Sequence, residues 1–354
     1  MGQYPKLTID TEKLLHNMRT LVNTAHRRDV SIALVSKVVC AHPAVIDCIN
    51  NSGCDMLADS RIENLRNAKS DLPKLMLRVT MPNCADEIVR DCDISLESEE
   101  STVLALQVAA QKQNKTHRVI LMIDLGDLRE GVFFRDRDRI LHIASLIKSC
   151  PNLELYGTGT NLTCYGSVLP DEENLGTLVS ITNWLREQLK LPIPIISGGN
   201  STSLKLLLED RLPDGINHLR LGESVMCGVI PGTYTKIDGC YQDAFTLEAE
   251  IVECKEKPSY PIGQLSRNAF GETVEYIDKG MMLRAIAAIG RQDVHVDGLT
   301  PRDGSIEILG ASSDHLLLDL TRAPMQVGDT ISFGVDYGAL LSASTSAYVK
   351  KETK

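Results

Sequence analysis

The chain has 354 residues with 37 Lys and Arg against 47 Asp and Glu, a formal net charge of -10, 43% hydrophobic residues and 24% charged ones. This is the make-up of a soluble globular protein and excludes disordered and fibrous classes, while the acidic surplus repels phosphate backbones and anionic lipid, so neither nucleic acid nor a membrane is expected as a partner. The length exceeds that of one simple core and fits a barrel plus one smaller domain.

The opening stretch, MGQYPKLTIDTEKLLHNMRT, carries charges throughout and has no apolar signal core, and the Met-Gly start has Lys6 where a myristoylation signal needs Ser or Thr. A cytoplasmic protein is expected. Ten cysteines lie scattered without a CxxC pair, which reads as reduced, small apolar residues, with neither a disulfide framework nor a metal site.

From about residue 30 to 225, short β-rich runs alternate with longer amphipathic stretches. The spacing predicts eight strands, at Ile32–Ser36, Met56–Ala58, Leu75–Val79, Ile94–Leu96, Arg118–Asp124, Leu153–Thr158, Ile193–Ile196 and His218–Leu221. Between them, segments such as STVLALQVAAQKQ and ENLGTLVSITNWLREQLK repeat apolar residues at helical spacing. Eight alternations argue for an α/β fold of the closed (β/α)8 barrel type; a doubly wound open sheet is the alternative. Beyond GVIPGTY the period shortens to that of strands, which predicts a barrel over residues 1–232 and a β-rich domain over residues 233–354. The early KLTID run can pair with either domain, and the terminal VKKETK is expected to fray.

In such a barrel the active site lies at the carboxyl ends of the strands. Lys37 follows the apolar IALV run, where desolvation lowers the amine's pKa and suits it to condensation with a carbonyl; the plainer reading is a lysine that snorkels to water. The seventh strand runs into SGGNSTSLK, whose glycines, Ser201 and neighbouring hydroxyls suit a phosphate, although they also suit a simple helix cap. The eighth carries Arg220, which inside a barrel needs a carboxylate or a ligand acceptor. A lysine, a phosphate cradle and an arginine facing one cavity describe a pyridoxal 5′-phosphate pocket.

The stretches SKVVCAH, IDLGDLREG, SGGNSTSL, HLRLGE and VGDTISFGVDYG resemble those of the alanine racemase family of fold type III pyridoxal enzymes. IDLGDLREG and GTGTNLTCYG are closest to the branch acting on ornithine and other basic amino acids. The resemblance implies a homodimer with shared active sites and two-base removal and return of an amino acid's α-proton. It implies that Lys37 binds the cofactor and acts as one base, that Arg220 faces the pyridine nitrogen, and that Arg129 lies near the phenolic oxygen and the substrate carboxylate. Ser201, the backbone of Gly222 and Glu223, and Tyr337 would serve the phosphate. Where the family has a tyrosine as second base, IGRQDV places Arg291; Asn161 stands for the ring-stacking histidine, and Ser313-Asp314 for a Met-Asp pair. A smaller polar residue and an extra carboxylate favour a diamino acid. The second base stays open between Asp314 with His315 and the weaker candidates Asp293 and Cys164. An alanine racemase, a decarboxylase of the same architecture and a non-catalytic cofactor carrier are the alternatives.

Overall fold

The computed structural model describes residues 3–273 and 275–354, and these fall into two compact units. Thr11–Gln242 form the first; the residues up to Asp10, which include the strand β1 (Lys6–Ile9), form the second with Asp243–Lys354.

The first unit is a closed ring of eight parallel strands: β2 (Ser31–Val35), β3 (Met56–Asp59), β4 (Lys74–Met76), β5 (Ile94–Glu97), β6 (His117–Asp124), β7 (Leu153–Gly159), β8 (Ile195–Ser197) and β9 (His218–Leu221). Each pairs with the next, and β9 closes on β2 with Leu219 beside Ile32 and Arg220 beside Ala33. The open-sheet alternative is thereby excluded. Two strands end earlier or begin later than their apolar runs suggest. β4 stops at Met76 because the chain turns to Thr80, whose backbone amide and hydroxyl both donate to Glu97. β8 starts at Ile195 because Pro194 offers no amide to a ladder and Ile193 adopts a positive φ of 39°.

Pleating sends alternate side chains to opposite faces. Ala33, Val35, Met56, Leu96, Met122 and Ile195 share one buried cluster, which marks the barrel interior. Helices such as Glu100–Lys112, Arg137–Ser149 and Glu172–Leu189 cover the outer face through Leu106, Ile143 and Leu178.

In the second unit, β10 (Phe245–Pro258), β11 (Met281–Ala287), β12 (Leu299–Pro301), β13 (Glu307–Ala311), β14 (Leu316–Asp319), β15 (Thr330–Val335) and β16 (Lys350–Thr353) form a sheet in the order β12-β15-β10-β11-β14-β13. β1 pairs antiparallel with β10 and parallel with β16. Phe245, Leu247, Ala249 and Ile251 alternate into its core.

The division differs from the predicted 232/233 boundary in two respects. The first ten residues belong to the second unit because KLTI finds both of its ladder partners there. Residues up to 242 stay with the barrel, since buried Asn17 donates to Tyr241 O at 2.8 Å and accepts from Tyr241 N at 2.7 Å. The VKKETK tail does not fray in this structure: Lys350–Thr353 is a paired strand.

Candidate active site

Lys37 follows the carboxyl end of β2, in a 3-10 turn over Lys37–Val39, where Arg129, Arg220, Asp59 and Cys164 all act on its charge. The turn is anchored to β3, because Ser36 N donates to Ala58 O at 3.0 Å and Ser36 Oγ to Asp59 Oδ2 at 2.7 Å. Asp59 also accepts from Arg61 N and Asn64 Nδ2, yet burial holds its carboxyl above the usual range. The Lys37 amine is pushed down, chiefly by burial and further by the positive charges of Arg129 and Arg220, against the opposing pull of Cys164 and Asp59. A lysine snorkelling to water would not be desolvated in this way.

Arg220 lies beside inward-facing Ala33 and shares its face. Its guanidinium reaches Thr160 O at 2.7 Å and Ser197 Oγ, both neutral acceptors, so it is satisfied without either partner foreseen from the sequence. Burial pulls its pKa down to about 10, which leaves it a cation at neutral pH. Behind it on the same face, His218 Nδ1 lies 2.8 Å from Ser197 Oγ, and burial with the Arg220 charge drives its pKa down to about 3. Beside this group, Thr160 Oγ1 and Asn161 Nδ2 are buried and lack a hydrogen-bond partner among the described residues.

After β8, Ser201 is brought against the turn after β9. Its hydroxyl accepts from Gly222 N at 3.0 Å and Ser224 N at 3.2 Å, and Glu223 opens the short helix Glu223–Cys227 between them. Gly222 has to be small there: a Cβ would meet the Val35 Cβ at 3.2 Å. Asn200 ties the neighbouring loop in, donating to Asn161 Oδ1 at 3.0 Å, to Leu162 O at 2.9 Å and to Cys164 Sγ at 3.3 Å.

Arg129 stands on the excursion after β6, its guanidinium forked onto Glu130. Two aspartates shape this region. Asp124 Oδ1 accepts from Gly126 N and Leu128 N, while Asp127 gathers the amides of Thr163, Tyr165 and Val168 at 3.0 to 3.2 Å. Gly131 (φ +120°) closes the excursion, where a Cβ would lie 2.5 Å from Asp124 N.

The second unit holds the remaining candidates. Asp314 Oδ1 lies 3.1 Å from His315 Nδ1, and both side chains are exposed. Gly290 packs on their backbone so tightly that a Cβ would come within 2.4 Å of Asp314 N. Arg291, expected from the sequence to stand where the family has a tyrosine, forks onto Glu272 at 2.8 and 2.9 Å and lies over the Phe270 ring. Asp293 is buried and accepts from Ser346 Oγ at 3.0 Å, the partner set of a structural residue. Tyr337 begins the helix Tyr337–Thr345, capped by Asp336.

Sequence reasoning placed Asn200 with the phosphate signal and missed Thr160, Ser197, His218 and Asp127. Ser197 and His218 each stand two residues from an inward-facing position, Ile195 and Arg220, a relation that strand pairing makes visible. No group of three or more His, Cys, Asp or Glu with metal-binding geometry occurs among the described residues, and none of their helices is long and apolar enough to cross a membrane.

The family profile described as alanine racemase, N-terminal domain, matches residues 9–229. A protein named ornithine racemase from Acetoanaerobium sticklandii is 45% identical over 352 residues, 99% of each chain. One named lysine racemase from Thermotoga maritima is 36% identical over 352 residues, 98% of each. Among solved structures, alanine racemase from a D-cycloserine-producing Streptomyces lavendulae superposes with a TM-score of 0.78 at 17% identity, covering 100% of this chain and 98% of that one.

Proposed function

The chain belongs to the alanine racemase family, and we propose that it is a pyridoxal 5′-phosphate-dependent racemase of a basic amino acid, with ornithine as its first substrate. The observation that carries this reading is the desolvated Lys37 amine at the carboxyl end of β2, within electrostatic reach of Arg220, a buried cation whose hydrogen-bond acceptors are neutral. The orphaned Asn161 Nδ2 and Thr160 Oγ1 support a polar ligand at the same place, since buried donors and acceptors without partners are costly.

When bound, the cofactor supplies an electron-withdrawing ring that acidifies the hydrogen on the substrate's α-carbon. Everything else falls to the chain. Lys37 would anchor the cofactor, and its Nζ, whose pKa desolvation lowers, would take and return the α-proton on one face. Arg220 would meet the pyridine nitrogen and, as a cation, keep it unprotonated, which limits electron flow into the ring and discourages side reactions. Ser201, Gly222 and Glu223, with Tyr337, would hold the phosphate; Arg129 would hold the phenolic oxygen and the substrate carboxylate; Asn161 would face the ring. For the opposite face we assign His315 as proton carrier and Asp314 as the carboxylate that orients its ring. The relatives named for ornithine and lysine support a cationic substrate side chain, which a carboxylate such as Asp314 suits. The proposal includes a cytoplasmic homodimer whose subunits share active sites, testable by light scattering.

The deciding experiment incubates the protein with pyridoxal 5′-phosphate and single L-amino acids in deuterium oxide. α-Proton loss together with D-isomer formation, strongest for ornithine or lysine, is the expected result. Bound cofactor with no exchange for any amino acid would overturn the assignment.

A further inference from the structure

Arg220, to which the reaction outlined above gives a role, is held inside the barrel by a closed arrangement of polar groups that have no part in that reaction themselves. Arg220 Nη1 donates to Ser197 Oγ, Arg220 Nη2 donates to Thr160 O at 2.7 Å, and Thr160 N donates back to Ser197 O at 3.1 Å. The guanidinium is thus clamped in two directions, against the end of β8 and the residue after β7. Ser197 Oγ then lies 2.8 Å from His218 Nδ1, and both residues are fully buried.

The hydrogen count fixes the direction of this chain. A serine hydroxyl has one hydrogen, and its oxygen already accepts from Arg220. That hydrogen therefore goes to His218 Nδ1 as the unprotonated ring nitrogen, and the imidazole proton sits on Nε2, which is buried and has no hydrogen-bond partner among the described residues; this arrangement strands one group, the reverse tautomer two. A proton on Nδ1 instead would leave both the hydroxyl hydrogen and a bare Nε2 without a partner. Protonation of both ring nitrogens would place a second cation one hydroxyl away from Arg220, in a buried region.

We propose that His218 and Ser197 act as a polarised positioning pair for Arg220, with His218 neutral in its Nε2–H form. The pair holds the guanidinium in one orientation without a hydrogen-bonded carboxylate, Glu130 acting on its charge only from beyond ion-pair distance, so the cation stays available to whatever group lies at the barrel mouth. A carboxylate in place of Ser197 would fix the arginine equally well but would neutralise it. This inference rests on the reading that Arg220 faces the cofactor's ring nitrogen, and the pair touches neither substrate nor cofactor itself.

The test has two parts. In the protein without cofactor, nitrogen-15 NMR of the imidazoles should show one histidine, lost in His218→Asn, that remains a neutral Nε2–H tautomer from pH 5 to 8. An Nδ1–H tautomer, or titration within that range, overturns the pair. In the cofactor-loaded enzyme, Ser197→Ala and His218→Leu should lower kcat about tenfold with KM changed less than about threefold, and should shift the bound cofactor's absorption band. His218→Asn, whose carbonyl can accept the Ser197 hydroxyl, should recover most of the loss. Equal thermal destabilisation with kcat and the band unchanged would show a merely structural role and overturn the proposal. If His218→Leu does not fold, Ser197→Ala and the wild-type spectrum still decide. A wild-type protein that binds no cofactor would refute the functional reading, while the tautomer still judges the pair separately.

Discussion

The barrel wall carries two buried histidine–serine pairs of nearly identical make-up on its two faces. His218 and Ser197 are inward neighbours on β9 and β8, with Nδ1 2.8 Å from Oγ. His117 and Ser95, on β6 and β5, lie on the outward side with Nε2 2.9 Å from Oγ. In both, burial keeps the imidazole neutral, with pKa values down to about 3 and about 4. Their company differs. The inner pair leads to a cation held only by neutral acceptors, whereas the outer one stands next to Glu97, which is buried and bonded to Thr80. Each imidazole leaves one ring nitrogen without a partner, so that does not distinguish them; the inner group adds unpartnered Thr160 Oγ1 and Asn161 Nδ2 beside a buried cation, whereas the outer group is tied to a loop through the Glu97 carboxyl and Thr80. On the proposed reading the face of the sheet, more than residue type, separates function from framework.

That contrast can be tested from its strongest claim downward. Lys37→Ala, on the inner side, should reduce racemisation at least about a thousandfold by chiral chromatography while the thermal midpoint stays within a few degrees. Loss of the fold in that variant would make the inner face structural as well. On the outer side, burial raises the Glu97 carboxyl from 4.5 to about 7. The folded state therefore holds its proton more tightly than the unfolded chain, so this contribution to stability is complete below about pH 4.5 and lost as pH rises through about 7. Its size is on the order of 3 kcal/mol. Glu97→Gln should remove that fall from denaturation curves across the window without changing kcat. His117 and His218 work in the opposite sense: their depressed pKa values add stability above pH 6.5 that disappears as pH falls towards about 4 and about 3. Ser95→Ala, which strips His117 Nε2 of its partner, should cost about 1–3 kcal/mol in urea titrations and leave turnover intact. A drop in rate like that expected for Ser197→Ala would erase the distinction between the faces. The smallest effect is at the helix cap Asp136, whose side chain accepts from Arg139 N at 3.0 Å; Asp136→Ala should lose about 1 kcal/mol and no activity.

Much of the barrel was legible because parallel strands buried on both faces read as compact apolar runs, and all eight runs became strands. Lys37 and Arg220 stood out as charges breaking those runs. Ser197 and His218 did not, since a serine beside two glycines reads as a turn and a histidine beginning a strand reads as an end. Their meaning depends on which strand lies next to which, and only ring closure supplies that. The pairing of KLTI was equally hidden: its partners Phe245–Glu248 and Lys350–Thr353 lie far along the chain, and a short alternating run does not name its neighbour. The terminal strand was misread for the same reason, because VKKETK has the composition of a solvated end and becomes a strand only beside β1.

The position of β1 sets an order of events during synthesis. Among the described strands, residues 6–9 are translated first and their parallel partner, residues 350–353, last. At about 5–20 residues per second, β1 waits roughly 17–70 seconds, and the whole barrel sequence is made in the interval. Any nascent chain halted before residue 350 can thus contain every barrel strand while its earliest strand remains an open edge. Polar Lys6 and Thr8 alternate with Leu7 and Ile9 along that edge, which moderates its tendency to pair with another chain in the meantime.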